Sequence, residues 1–212
     1  FILYQLALVT VGTVSLCLNM YFDYFASTKL LKYLVTVGFI INSLVMVGLF
    51  IISFSKKFNK FIVNMALNIL TKLKLVKNRE EQEEKWMERC NDFHEGAIYI
   101  KKNKFLCFKG YIYNILGLIC LYIIPYFVFK ALEPTVSISI IDTIVASSYI
   151  LIIGSFVPIP GASGGIEFGF LQFFSNFVTG PLLSATLLIW RGITYYLPMI
   201  IGAIILNTRK ER

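Results

Sequence analysis

The sequence predicts an all-α integral membrane protein of about six transmembrane helices, with a Pro/Gly-broken or re-entrant element and a cytoplasmic amphipathic helical segment. Three observations carry this expectation. Of the 212 residues, 57% are hydrophobic and only 15% charged, more apolar surface than one soluble core can hide. The apolar residues come in runs free of Asp, Glu, Lys and Arg, among them the 22 residues 1–22 and the 23 residues Tyr33–Ser55. As helices, such runs cross about 30 Å of hydrocarbon. The net charge of +8 is also uneven, because 12 of the 20 Lys and Arg lie between Lys56 and Lys104.

Three regions follow: two spans in 1–55, a basic segment 56–104 and a C-terminal bundle 105–212. Phe1 already lies in an apolar run with no basic n-region and no small-residue cleavage site. Residues 1–22 therefore read as a span, not a signal peptide, and the chain is expected to be a piece of a longer protein. A short linker with Asp23, Lys29 and Lys32 joins the two spans. In the basic segment, Phe58, Phe61, Ile62, Met65, Ala66, Ile69, Leu70 and Leu73 repeat at helical spacing. Lys57, Lys60, Asn64, Asn68 and Lys72 lie opposite. This is an amphipathic helix, lying in the membrane interface or packing on its own bundle. Trp86, Cys90, Phe93, Ala97 and Ile100 form the narrower stripe of a second helix, packed on the first. His94, the only histidine, falls there and reads as solvated or interfacial.

Gly110–Phe129 is the third span, with Pro125 near its end and tyrosines towards both ends. Ser137–Val157 is the fourth, rich in hydroxyls and with Asp142 near its start. Ile166–Val178 has 13 residues and is too short to cross upright. Leu182–Leu206 closes the chain, with Arg191 and Pro198 inside it. Positive-inside reasoning puts 56–104 and the C-terminus in the cytoplasm. The same basic segment argues for anionic lipid, not nucleic acid, as the charged partner. Cys17, Cys90, Cys107 and Cys120 form no C-x-x-C and read as buried apolar groups or free thiols. No metal or cofactor is implied.

The stretch 157–169 organises the rest. Pro158 and Pro160 remove backbone donors and forbid a continuous helix, and Gly161, Gly164 and Gly165 loosen the chain just after them. In lipid, broken backbone survives only inside protein or beside a wet cavity. Between Thr143 and Thr208, Glu167 and Arg191 are the only charged side chains. Each costs about 2.5–3.5 kcal/mol at a bilayer centre, so opposite signs invite pairing. Two readings stay open: a structural pair that fixes packing, or part of a polar path. Gly161–Gly165 can present consecutive N–H groups to an anion. No Lys-Ser/Thr follows the glycines, so this is not a nucleotide P-loop. Ser163 has no partner base, since His94 lies in the basic segment, and no enzyme activity is expected of this chain. On charge alone, conservative changes at Glu167 and Arg191 should be better tolerated than neutral ones.

Pro-Ile-Pro-Gly-Ala-Ser-Gly-Gly-Ile-Glu (158–167) and Trp-Arg-Gly-Ile-Thr-Tyr-Tyr-Leu-Pro (190–198) together resemble the transmembrane domain of bacterial lysylphosphatidylglycerol synthase/flippase proteins. Pro158, Pro160, Gly161, Gly165, Glu167, Arg191, Tyr195 and Pro198 match that family's pattern, while Ala162 stands where Gly is common. The resemblance implies a flippase-like protein of the bacterial cytoplasmic membrane, of the kind linked to antimicrobial peptide resistance. It would move an anionic or aminoacylated phospholipid, or a glycosylated polyprenyl-linked lipid, between leaflets. Glu167, Arg191, Ser163, Gly161, Gly164, Gly165 and Tyr195 would line the substrate path, and Pro158, Pro160 and Pro198 would break the helices. The family's soluble synthase domain has no counterpart here. The alternatives are a membrane scaffold or regulatory subunit, or the membrane part of a lipid-modifying transferase. Homo-oligomer formation is left open.

Overall fold

The computed structural model describes residues 1–22, 29–72, 78–155 and 157–210. The expected linker residue Asp23 lies outside them. The elements are α1 (Ile2–Phe22), α2 (Lys29–Phe54), α3 (Lys56–Lys72), α4 (Arg79–Lys102), α5 (Lys104–Leu132), α6 (Ile140–Gly154), α7 (Gly165–Phe174), α8 (Pro181–Arg191) and α9 (Leu197–Lys210). A 3₁₀ turn at Pro160–Ala162 separates α6 from α7, and a π turn at Gly192–Tyr196 joins α8 to α9. Four stretches of the described residues are long and apolar enough to cross a membrane: Ile2–Asn19, Leu30–Phe54, Lys104–Leu132 and Pro181–Thr208.

The described residues divide into two compact units, Phe1–Leu6 with Ser43–Tyr113, and Ala7–Asn42 with Asn114–Arg212. In the first, α3 and α4 pack together. The α4 stripe faces inward: Ala97 is buried and Trp86, Cys90, Phe93 and Ile100 are half-buried. In α3 the apolar arc is divided. Asn59, Val63 and Leu67 are buried, whereas Phe58, Phe61 and Met65 of the expected stripe are exposed. The side chains of Ile69 and Leu73, and of Lys57 and Lys72 opposite, lie outside the described set. The last carbonyls of α2, which have no donor within their own helix, are capped from both partners. Asn59 Nδ2 donates to Ile52 O (2.8 Å), and His94 Nδ1 lies 2.8 Å from Ser53 O. His94 is thus a helix-end cap.

The second unit holds the core. Sequence reasoning ends the third span soon after Pro125, yet α5 runs to Leu132 with Pro125 inside it. An interior proline removes one helical hydrogen bond. Ser147 of α6 donates to the neighbouring carbonyl of Tyr122 (3.0 Å), as hydroxyls of adjacent helices do in membrane bundles. Helices α6 and α7 have 15 and 10 residues, about 22 and 15 Å at 1.5 Å per residue. They pack antiparallel: Gly154 meets Ile166, Gly169 meets Ile150 and the Tyr149 ring lies 5.7 Å from Phe173. The chain therefore reverses at the Pro/Gly break, as a hairpin.

A 10-residue helix is marginal on its own. Aromatic packing holds α7: Phe170 stacks on Trp190 of α8 at 4.9 Å, and Phe174 lies 5.3 Å from Phe129 of α5. Contacts of this kind add about 0.5–1.5 kcal/mol each beyond area burial. Most hydroxyls of α6 are satisfied within the bundle. Ser139 forms a capping box with Asp142, Thr143 donates to Ser139 O and Ser148 to Val145 O. Of that series only Ser155 stands at the break.

Candidate functional site

The break is built by its prolines and glycines. Val157 N–H bonds Gly154 O, and Ala162 N–H closes the next turn on Ile159 O at 2.7 Å. Gly161, Ala162 and Gly164 then take positive φ values of 69°, 49° and 88°. For an L-residue with a side chain, left-handed backbone costs roughly 1–2 kcal/mol. Ala162→Gly is accordingly expected to leave folding intact and raise stability by up to about 1 kcal/mol, the glycine's greater freedom when unfolded offsetting part of the gain. A thermal unfolding midpoint in detergent that falls on this substitution would contradict the assignment.

Glu167 and Arg191 meet at the break. Arg191 Nε donates to Glu167 Oε1 (2.7 Å) and its Nη2 lies 2.6 Å from the same oxygen. Nη2 also donates to Gly161 O (2.9 Å), and the guanidinium lies 4.8 Å from the Tyr195 ring centroid. The other carboxylate oxygen, Oε2, accepts from Gly164 N–H (2.6 Å), so Glu167 caps α7, the helix on which it sits. Exposure is unequal: the Arg191 side chain is 6% exposed and that of Glu167 28%. The pair is therefore sealed on the cation side and open on the carboxylate side.

Gly161 has to be glycine twice over. Its φ is positive, and a β-carbon there would fall within the Tyr195 ring. Gly165 opens α7 against Val157. Ser163 does not join the pair; it is exposed and its hydroxyl turns back on Pro160 O (3.3 Å). The expected row of free N–H groups is likewise altered, since the Gly164 N–H already holds the Glu167 carboxylate. Pro198, the second residue of α9, lacks the N–H that would bond Thr194 O. Leu197 N–H instead reaches Gly192 O five residues back, and Thr194 Oγ1 donates to Trp190 O (2.7 Å). The proline thus accounts for a π turn directly after Arg191, a distortion that recurs at functional sites.

One site residue escaped sequence reasoning. Asn42 of α2 donates to Ser155 Oγ at the break (2.6 Å) and to Gly38 O (2.9 Å). The signal was present as a lone amide in a charge-free run, and polar groups inside spans are functional candidates. Asn42 is the central residue of the stretch Leu30–Phe54. The hairpin tip is therefore level with the middle of α2. The 10 residues of α7 put the tip about 15 Å from the α7–α8 turn.

Such an arrangement defines a class: a multi-pass helical membrane protein with a hairpin whose broken tip carries a charge pair. Residues 1–202 match the model of the family described as lysylphosphatidylglycerol synthase TM region, and the chain belongs to that family. Comparison with curated proteins and with solved structures gave no match.

Proposed function

We propose that the chain is a lipid translocator, passing lipids with a large polar headgroup between the leaflets of the bacterial cytoplasmic membrane, with 56–104 and the C-terminus cytoplasmic. The observation that carries this reading is the Glu167–Arg191 pair at the hairpin tip, buried on one side and exposed on the other. The donors that grip Glu167 are a guanidinium fork and the amide before a helix. Both suit a phosphate oxygen equally well. Glu167 thus stands where a lipid phosphate would bind. In the proposed cycle the phosphate takes Arg191 and the Gly164 N–H. The released carboxylate then accepts the ammonium or hydroxyls of an aminoacylated or glycosylated headgroup. Phospholipid and polyprenyl-linked carriers share this phosphate chemistry, and the family description favours the aminoacylated phospholipid.

A second reading, a scaffold in which the pair only locks packing, draws on the near-complete burial of Arg191 and on its Gly161 bond. Leaflet sidedness of tagged lipids in proteoliposomes separates the two. Transfer of phosphatidylglycerol or its aminoacyl ester should be faster than in protein-free vesicles, and Glu167→Gln should return it to that background with the fold intact. No acceleration for any of these headgroups would leave the scaffold reading standing.

A further inference from the structure

We propose that α3 lies in the headgroup layer of an anionic leaflet, with α4 riding on its far side in water. The placement begins with the connection. Helix α2 ends at Phe54 and α3 begins at Lys56, so one residue separates a span-length helix from α3. The start of α3 therefore lies at a membrane surface.

The two edges of α3 are unlike. Asn59, Val63 and Leu67 are 2%, 3% and 0% exposed and so are covered by protein, and α3 packs on α4. Phe58, Phe61 and Met65 are 38%, 62% and 48% exposed. At 3.6 residues per turn these two triplets fall on opposite sides of the helix. One apolar edge is covered by protein. The other is a ridge of two phenylalanines and a methionine. That is the composition of helices lying in the interface plane.

Charge selects the occupant of the ridge. Helix α3 carries four lysines (Lys56, Lys57, Lys60, Lys72) and no acid, whereas α4 carries seven acids (Glu80, Glu81, Glu83, Glu84, Glu88, Asp92, Glu95) against five bases. All of these acids except Glu83 are exposed. Juxtamembrane lysines are drawn to anionic lipid, and an acidic helix is repelled by it. Of the packed pair, α3 is thus the membrane-facing member. A soluble partner protein would account for the apolar ridge, but not for its adjoining a span or for the sorting of charge between the helices.

The test uses full-length protein with its cysteines replaced, reconstituted in phosphatidylglycerol/phosphatidylcholine vesicles. Single spin labels are placed at Phe61→Cys, Met65→Cys, Glu84→Cys and Glu88→Cys. Labels at 61 and 65 should be reached by oxygen several-fold more readily than by a water-soluble nickel chelate, and those at 84 and 88 the reverse. In pure phosphatidylcholine the contrast at 61 and 65 should shrink. Preferential nickel access at 61 and 65 in the anionic vesicles would overturn the proposal. Shielding of both labels from either reagent would do the same, by showing a protein cover. Contrast unchanged without anionic lipid would overturn the assignment of α3 to an anionic leaflet. Each readout is independent of lipid transfer, so failure here and failure of the translocator reading are distinguishable.

Discussion

Arg191→Lys is expected to lose nearly as much lipid transfer as Arg191→Ala, although it keeps the charge. The guanidinium makes a fork on Glu167 Oε1, a further bond to Gly161 O and a face-on contact with Tyr195. An ammonium is a point charge on a flexible stem and cannot reproduce a planar fork. Stability should separate the two variants. Removing the cation leaves a partly buried carboxylate unpaired, a loss of about 3–5 kcal/mol for buried pairs. The 28% exposure of Glu167 points to the low end of that range. Lysine retains the pairing and should give up only about 1.5–3 kcal/mol, the worth of a hydrogen bond to a charged group. Transfer rates in proteoliposomes and unfolding midpoints in detergent provide the two readouts. Near-wild-type transfer by Arg191→Lys would show that charge suffices and that fork geometry is incidental. Better transfer by Arg191→Lys than by Arg191→Ala is what charge alone would give, so the same comparison tests that expectation as well.

Much of this architecture can be read from residues because hydrocarbon imposes simple rules. Charge-free runs of 22 and 23 residues have few alternatives to helix in a bilayer, and two prolines within three positions cannot lie in one. Pairing of Glu167 with Arg191 follows from the cost of either charge alone. What could not be read is what depends on three-dimensional direction. Pro158 and Pro160 say that the helix stops, but not that α6 and α7 fold back on each other. That reversal rests on the close fit of Gly154 to Ile166 and of Gly169 to Ile150. The hydroxyls of the fourth span suggest a polar lining. Most instead bond backbone carbonyls, as Ser147 does on Tyr122, because a hydroxyl buried in a bundle takes the nearest acceptor. In α3 the helix forms, but its buried edge runs through Asn59, Val63 and Leu67, none of them in the expected stripe, because periodicity cannot say which edge meets protein. Asn59, assigned by type to no stripe, is among its most buried residues. Ser163 resembles a site residue by position and turns away by loop geometry.

In the proposed cycle the Glu167–Arg191 pair has a fixed polarity, because a lipid exchanges with one member of it. Double charge reversal, Glu167→Arg with Arg191→Glu, tests this in one protein. The reversed pair retains opposite charges across the same helices, so stability should recover relative to either single reversal. Transfer should not, because the amide of Gly164 and the ring of Tyr195 stay where they are and favour an anion at 167 and a cation at 191. The assay is leaflet sidedness of aminoacylated phosphatidylglycerol in vesicles holding wild type, each single reversal and the double reversal. Recovered unfolding midpoint with background-level transfer is the predicted result. Recovery of both would contradict the account, making the pair interchangeable packing chemistry instead of part of a lipid path.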